Sequence, residues 1–223
     1  MKFVIPIIVS TKEYHRIFFK PTKPINMKVV YICAVLLAIF LIVQTVIAAS
    51  SKKTEQQIYR VVKKEKDFEI RFYPEATMAS LNLAANNYQG VASNGFRKLA
   101  NYIFGGNEEA KSISMTAPVR MQLSDKGSTM SFVMPKKYDT TSLPTPNDTS
   151  IHIHTDAAQY VAVINFGGYA SDEKIKSNLA LLEKRLKDSK INIIGPYQFL
   201  AYNPPYQIIG RTNEIIIPIE WKE

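Results

Sequence analysis

Cysteine and histidine are scarce in this sequence, and their scarcity excludes several kinds of chemistry. The 223 residues include one cysteine, Cys33, and three histidines. Cys33 lies inside a hydrophobic run, so the remainder of the chain has no disulfide, no thiol chemistry and no cysteine metal site. The length and the apolar content of 46% are those of one globular domain with a substantial core.

Two of the histidines, His152 and His154, follow the hydrophobic run. They are two positions apart on a predicted strand, so both side chains lie on one face of it. A metal site needs at least one further protein ligand, which makes iron ligation by this pair the weaker interpretation. We predict no metal site, and we expect both imidazoles to face solvent, opposite Ile151 and Ile153.

Motifs of the common enzyme classes are missing. The segment 90–95 (GVASNG) has one residue too many for the nucleophile turn of a serine hydrolase. Neither a phosphate loop nor a G-x-G-x-x-G motif occurs, and the scattered carboxylates are typical of surface charge. The sequence therefore predicts a protein that is not an enzyme.

The positive charge is concentrated near the N-terminus. Of the net charge of +9, residues 1–26 contribute +4 and Lys28 contributes +1, which leaves +4 for residues 29–223. A net charge this small over residues 29–223 argues against a nucleic-acid partner. The sequence also contains no stripe of basic residues interleaved with aromatic residues.

Residues 29–49 form a long hydrophobic run of about the 20 residues that a helix needs to cross a bilayer. With its two preceding residues, the segment 27–49 is either a transmembrane anchor or a cleaved signal peptide. Its length favours the anchor, with membrane contact through residues 29–49. The basic residues before it favour an extracytoplasmic domain, and cleavage would make that domain a secreted protein.

The segments on either side of the hydrophobic run carry no strong pattern. Met27 followed by Lys28 is a conventional start for such a run, so we interpret residues 1–26 as a basic extension from a mis-assigned start site. Residues 50–57 read as a polar linker.

The rest of the chain contains an internal repeat. A shift of 83 positions places residues 68–83 on 151–166, and residues 132–135 on 215–218. Each copy reads as a strand hairpin, an amphipathic helix and two more strands. The second helix is predicted to be capped by Ser171.

Gly95 lies in the apolar stripe of the first predicted helix. Because glycine there is less favourable than alanine by about 1 kcal/mol, something must approach the backbone closely. We favour a packed strand over a flat ligand, since close glycine packing is common and bound ligands are few.

Four strings resemble the SOUL haem-binding protein family. They are GFRKLANYIFGGNEEAKSISMTAPVRM from Gly95, SFVMPKKY from Ser131, FGGYASDEKI from Phe166 and YNPPYQIIGRTNEIIIPI from Tyr202. They occur in the family's order, and the resemblance runs from about Ile58 to Trp221.

The resemblance implies an α+β fold: a distorted antiparallel β-barrel of about eight strands with two helices, made from pseudo-twofold duplicated halves. It places the domain at residues 58–223, with halves of about 58–140 and 141–223. The fold is also similar to the ligand-binding domains of GyrI-like regulators.

The resemblance further implies that haem or another tetrapyrrole binds in an apolar groove between the first helix and the loop after YNPP. The corresponding positions in this sequence are Phe96, Arg97, Ala100, Tyr206, Gln207 and Ile208. Met115 and Met121 flank the TAPV turn. Either methionine could ligate haem iron or fill space in the core, and we favour core packing. Candidate cations for the propionates are Arg97, Lys98, Lys111 and Arg211.

The function that follows is non-catalytic haem capture, buffering or transfer at a membrane. One alternative is a binding module for another apolar small molecule, as the likeness to GyrI-like domains allows. A second, which no motif supports, is a hydrolase with a pocket carboxylate.

Overall fold

The structure is a computed structural model that describes residues 26–223. The predicted basic extension therefore lies outside the described residues, apart from Asn26. The described residues divide into two units between Val43 and Gln44, and the second unit is 44–223. The described helices are α1 (Met27–Lys53), α2 (Tyr88–Ile103) and α3 (Asp172–Asp188). The described strands are β1 (Glu55–Gln56), β2 (Arg60–Lys64), β3 (Glu69–Tyr73), β4 (Ala76–Leu83), β5 (Thr116–Ala117), β6 (Val119–Gln122), β7 (Ser128–Val133), β8 (Ile151–Asp156), β9 (Gln159–Gly167), β10 (Gln198–Ala201) and β11 (Thr212–Pro218).

Helix α1 continues past the hydrophobic run and takes up part of the expected polar linker. The linker was predicted at 50–57, but the helix ends at Lys53 and β1 follows at once. Strand β1 pairs in parallel with β5, Glu55 opposite Thr116. By length and composition, residues 27–51 are apolar enough to cross a membrane, a property that a signal sequence shares.

Within residues 26–223, nine strands form one sheet in the order β2-β3-β9-β11-β10-β6-β7-β4-β8. The prediction of an antiparallel α+β fold is confirmed, with two differences. The sheet is a curled half-barrel with open edges at β2 and β8, and it contains nine strands rather than about eight. The additional strand, β2, pairs with β3 at one edge and carries mostly exposed side chains.

The duplication is visible in the strand order. If each strand of the first half is replaced by its counterpart in the second half, and the reverse, the same strand order results when read from the other end. The counterparts are β3 and β8, β4 and β9, β6 and β10, and β7 and β11. Strand β2 has no counterpart among the described strands. The shift of 83 positions also carries β4 onto β9, and α2 onto α3 within one or two residues. Each half gives its first strand to the other, because β3 pairs with β9 and β8 pairs with β4.

Both domain helices cover one face of the sheet. Helix α2 packs on β4 and β7, and α3 packs on β9 and β11. Leu99, Tyr102 and Leu182 are among the fully buried side chains of the core between them. The α2 N-cap is Asn87, which accepts from the Gly90 amide at 2.8 Å, and Ser171 caps α3 as predicted.

Gly95 faces the strands beneath α2. A Cβ at this position would lie 2.8 Å from Leu83 Cδ1 and 2.9 Å from Met130 Sδ. Real Cβ atoms essentially never come so close to other atoms, so any larger residue would displace β4 or β7 side chains. The favoured interpretation, a packed strand, is confirmed.

Candidate functional site

The loop between β10 and β11, residues 202–211, is built around an inward-facing arginine. The Arg211 guanidinium donates to the carbonyls of Pro204 at 2.7 Å and Gln207 at 2.8 Å. It also lies over the Tyr169 ring, 4.4 Å from the centroid. Arg211 therefore holds the loop in shape, and its side chain is largely buried.

Gln207 is the buried centre of this loop, with 2% of its surface exposed. Its Oε1 accepts from Ser51 Oγ at 2.8 Å and from Asn203 Nδ2 at 3.1 Å. Its Nε2 donates to the carbonyls of Ile209 and Gly210. All the hydrogen-bonding capacity of this side chain is used within the protein.

The neighbours of Gln207 point outward. Tyr206 is 65% exposed, Ile208 48% and Ile209 51%. The Tyr169 hydroxyl donates to the Pro205 carbonyl at 3.1 Å, which places a fourth exposed aromatic or aliphatic side chain beside them. We call Tyr169, Tyr206, Ile208 and Ile209 the apolar loop surface. Groups of exposed apolar side chains are typical of contact sites.

Helix α2 contributes the other predicted residues. Phe96 is half-buried, and its ring lies edge-on to Phe132 with centroids 5.4 Å apart. Ala100 is also half-buried, one turn further along. Arg97 is exposed, and its hydrogen bond to Asn94 Oδ1 is long, at 3.4 Å. Its guanidinium is therefore accessible to an anionic group.

The first turn of α2 packs against β10, the strand that leads into the loop. The Tyr88 ring lies edge-on to Phe199 of β10, with centroids 5.3 Å apart. Burial raises the pKa of Tyr88, and the nearby charge of Arg211 opposes that rise. Arg211, at the end of the loop, therefore lies near the beginning of α2, whereas Phe96 and Ala100 lie two to three turns further along the helix.

Comparison with known proteins identifies the domain. A family model described as SOUL heme-binding protein matches residues 54–218. The chain belongs to the SOUL heme-binding protein family. Human "Heme-binding protein 2" is 30% identical over 156 residues, which cover 66% of this chain and 76% of the relative. "Heme-binding protein 1" of Xenopus tropicalis is 26% identical over 165 residues, which cover 70% and 86%.

A solved structure supports the fold of this SOUL domain. The crystal structure of the EcmrR C-terminal domain superposes with a TM-score of 0.55 at 10% identity. It covers 74% of this chain and 99% of that domain. At so low an identity the likeness concerns the fold alone.

The other candidate cations of the SOUL domain are engaged. Lys98 lies 3.2 Å from Asp148 Oδ2 and donates to Ser150 Oγ. Lys111 lies 3.8 Å from Glu109 and 5.2 Å from the centre of the Tyr138 ring. Of the four cations suggested by the sequence, Arg97 is the most available.

The sulfur and imidazole groups occupy ordinary structural positions. Met121 is buried in the core on the helix side of the sheet, and Met115 packs half-buried against that core. His152 and His154 are exposed on β8, while Ile151 is buried. Within residues 26–223 no group of three or more metal-binding side chains occurs.

The face of the sheet away from the helices carries a buried polar network that the sequence analysis did not anticipate. Arg71 of β3 donates to Glu214 Oε1 at 2.9 Å and to Glu69 Oε2 at 2.8 Å. The Tyr202 hydroxyl donates to Glu214 Oε2 at 2.6 Å. Burial acts to lower the pKa of Arg71, but Glu214, Tyr73 and Glu69 together outweigh it and the pKa is raised. Both oxygens of the Glu214 carboxyl group therefore accept hydrogen bonds inside the protein.

Two cavities lie away from the loop and α2. The larger, of about 470 Å³, lies between residues 55–58, the turn 74–77 and residues 133–140. The smaller, of about 160 Å³, lies on the polar face beside Arg120 and His154. Burial lowers the pKa of Arg120, although Asp156 at 3.0 Å opposes the change.

Proposed function

We propose that this protein binds haem or another tetrapyrrole without catalysing a reaction, and that it serves in capture, buffering or transfer at a membrane. Membership in the SOUL heme-binding protein family across residues 54–218 carries the proposal. Two relatives of this chain are named heme-binding proteins. The proposed role is binding and release of the ligand, with no reaction on it.

The proposed site combines the exposed part of α2 with the loop. Phe96 and Ala100 supply apolar surface on the helix, and Tyr206 and Ile208 supply it on the loop. Arg97 is the proposed partner of a propionate, because a guanidinium binds a carboxylate through charge-assisted hydrogen bonds. Met115 is proposed as packing beside the ligand.

Gln207 is proposed to act on the loop rather than on the ligand. Its four hydrogen bonds hold the backbone that presents Tyr206 and Ile208. A ligand that reached its side chain would have to break them, and each buried group left unpaired costs roughly 1–3 kcal/mol.

A site without an iron ligand depends on more than apolar contact. Covering roughly 400 Å² of a porphyrin face at about 25 cal/mol per Å² contributes about 10 kcal/mol. Association opposes this by roughly 4–15 kcal/mol. The most favourable balance, about 6 kcal/mol, corresponds to a Kd of roughly tens of micromolar, so tighter binding requires further contacts such as the proposed one from Arg97 to a propionate.

The membrane part of the proposal depends on α1. We propose that residues 29–49 anchor the protein, with the SOUL domain on the extracytoplasmic side. The support is the length and composition of residues 27–51 and the basic residues that precede them. The same segment as a cleaved signal sequence would release a secreted domain, and N-terminal sequencing of the mature protein distinguishes the two.

Haem titration of the full chain in detergent tests the binding site. We expect a saturable shift of the Soret band that Phe96→Asp weakens. Phe104→Asp is the matched control, because Phe104 follows the end of the same helix and is 67% exposed. A spectrum identical to that of free haem would refute tetrapyrrole binding, and equal effects of the two substitutions would refute the site.

A second candidate function is binding of a different apolar small molecule. The observation that favours it is the cavity of about 470 Å³, a volume typical of small-molecule sites. Its lining combines Ile58, Val133 and Met134 with polar groups. Ala76→Arg would fill it, so loss of a co-purifying ligand in Ala76→Arg, with retention in Phe96→Asp, would favour this function.

A further inference from the structure

The end of α1 and the β10–β11 loop form one hydrogen-bonded element inside the unit 44–223. Gln44 is 5% exposed. Its Oε1 accepts from the Ile208 amide at 2.8 Å, and its Nε2 donates to the Tyr206 carbonyl at 3.4 Å. Two turns later, Ser51 Oγ donates to Gln207 Oε1 at 2.8 Å. The loop is therefore fixed to the residues that end the hydrophobic run.

The position of Gln44 within that run sets the depth of the loop. The proposed anchor, residues 29–49, has about the 20 residues that a helix needs to cross the hydrocarbon core of a bilayer, which is about 30 Å thick. Gln44 lies inside this segment, five residues before its end. Within the unit 44–223 the loop is hydrogen-bonded to Gln44, so an anchor of this extent would bring the loop to the level of the lipid.

Most carbonyls of the loop are hydrogen-bonded within the protein. Unpaired peptide groups are very unfavourable in hydrocarbon. The carbonyls of Pro204 and Gln207 accept hydrogen bonds from Arg211. The Pro205 carbonyl accepts from Tyr169, and the Tyr206 carbonyl accepts from Gln44. The carbonyls of Ile209 and Gly210 accept from Gln207. The Ile208 amide donates to Gln44. Two prolines, at 204 and 205, have no amide hydrogen.

The outward side chains have the composition of a lipid-facing surface. Residues 202–210 (YNPPYQIIG) contain no charged residue, and the arginine that follows them is turned inward. The apolar loop surface presents two tyrosines and two isoleucines. Tyrosine is enriched where protein meets the membrane–water boundary, and apolar faces of interfacial segments enter it by about 5–10 Å.

We infer that the apolar loop surface inserts into the outer part of the bilayer, so that the SOUL domain lies on the lipid with its β10–β11 loop embedded. The occupant of this surface is the acyl-chain region of the membrane. This inference rests on the proposed anchoring by residues 29–49. Tyr206 and Ile208 also belong to the proposed tetrapyrrole site, so a bound tetrapyrrole would replace lipid at these two side chains, whereas Tyr169 and Ile209 would stay in the lipid.

Tryptophan scanning with brominated lipids tests the insertion. The chain has a single tryptophan, so each variant carries Trp221→Phe and one new tryptophan. The full chain is reconstituted into phosphatidylcholine vesicles with bromine on the acyl chains. We expect Ile209→Trp to lose emission strongly when the bromines lie high in the chains, and less when they lie near the bilayer centre.

Two matched variants make the outcome decisive. Phe40→Trp lies in the hydrophobic run and reports the anchor, so we expect strong loss of its emission. Phe104→Trp is exposed and follows the last turn of α2, about 24 Å along that helix from the turn beside the loop, so we expect no loss.

Loss at Phe40→Trp but not at Ile209→Trp would overturn the insertion while leaving the anchor intact. Equal loss at Ile209→Trp and Phe104→Trp would also overturn it, because the contact would not be specific to the loop. No loss at any of the three positions would refute the anchor, and the insertion with it.

Discussion

Removing the Arg71 side chain's charge should strongly destabilise the domain. The side chains of Arg71 and Glu214 are 3% and 5% exposed. Arg71→Met would leave the Glu214 carboxylate in that environment with the Tyr202 hydroxyl as its remaining donor among the contacts described. Breaking a buried ion pair on one side costs about 3–5 kcal/mol. At about 2–4 °C per kcal/mol for a domain of this size, the melting temperature should fall by roughly 6–20 °C.

The assay is thermal unfolding of the full chain in detergent, followed by circular dichroism. The double variant Arg71→Met/Glu214→Leu removes both charges and should recover most of the loss, because apolar replacement of a complete buried pair is often neutral or stabilising. Arg60→Met is the control, since its ion pair with Glu223 is exposed and worth little.

Two results would contradict the reasoning. One is a fall in melting temperature no larger than that of the Arg60 control. The other is a double variant as unstable as Arg71→Met alone, because the unpaired carboxylate would then not be the cause. The network lies on the face of the sheet opposite α2, so haem binding by the folded fraction should be unchanged in all three variants.

Three further predictions test other features. Gly95→Val should lower the free energy of unfolding by about 1–3 kcal/mol, measured by denaturant titration, because its side chain would overpack against Leu83 and Met130; an unchanged midpoint would contradict the close packing. Arg97→Glu should weaken haem binding about tenfold at low salt and less at high salt, and a loss independent of salt would argue against a propionate contact. Asp139 should titrate with a pKa of about 2, below its ordinary 3.8, because Thr141 and Ser142 donate to it. Because this pKa is depressed in the folded state, Asp139 contributes stability that is fully present above pH 3.8 and is lost as the pH falls through about 2. The difference in free energy of unfolding between the natural chain and Asp139→Ala should therefore shrink as the pH falls across that window. An NMR titration that gives Asp139 the ordinary carboxyl pKa would refute this.

Much of the fold could be predicted because it is encoded locally and twice. The 83-position shift found from paired strings is the same shift that relates β4 to β9. Ser171 is the predicted cap, and Gly95 packs where its place in an apolar stripe indicated. Strand β2 was not anticipated as a ninth sheet strand, because RVVKK shows little of the alternation that marks a half-buried strand.

The site was less predictable because its contacts join distant parts of the chain. A glutamine inside an apolar run indicates no partner, yet Gln44 bonds residues more than 160 positions away. Gln207 was placed in the groove by resemblance, whereas its burial follows from bonds to Ser51 and to its own loop. Glutamates on strands are usually solvated, and only the approach of Arg71 and Tyr202 explains a buried Glu214.

The exchange of first strands between the halves has a consequence for folding. Strand β3 gains its second neighbour only when β9 is synthesised, and β4 gains its own only when β8 arrives. Neither half can complete its hydrogen-bond ladder alone, so the domain should acquire its structure in one late, cooperative event. If the chain is cut between β7 and β8, each fragment alone should remain unstructured. The two fragments should regain structure when mixed, because each supplies a strand that pairs within the other half.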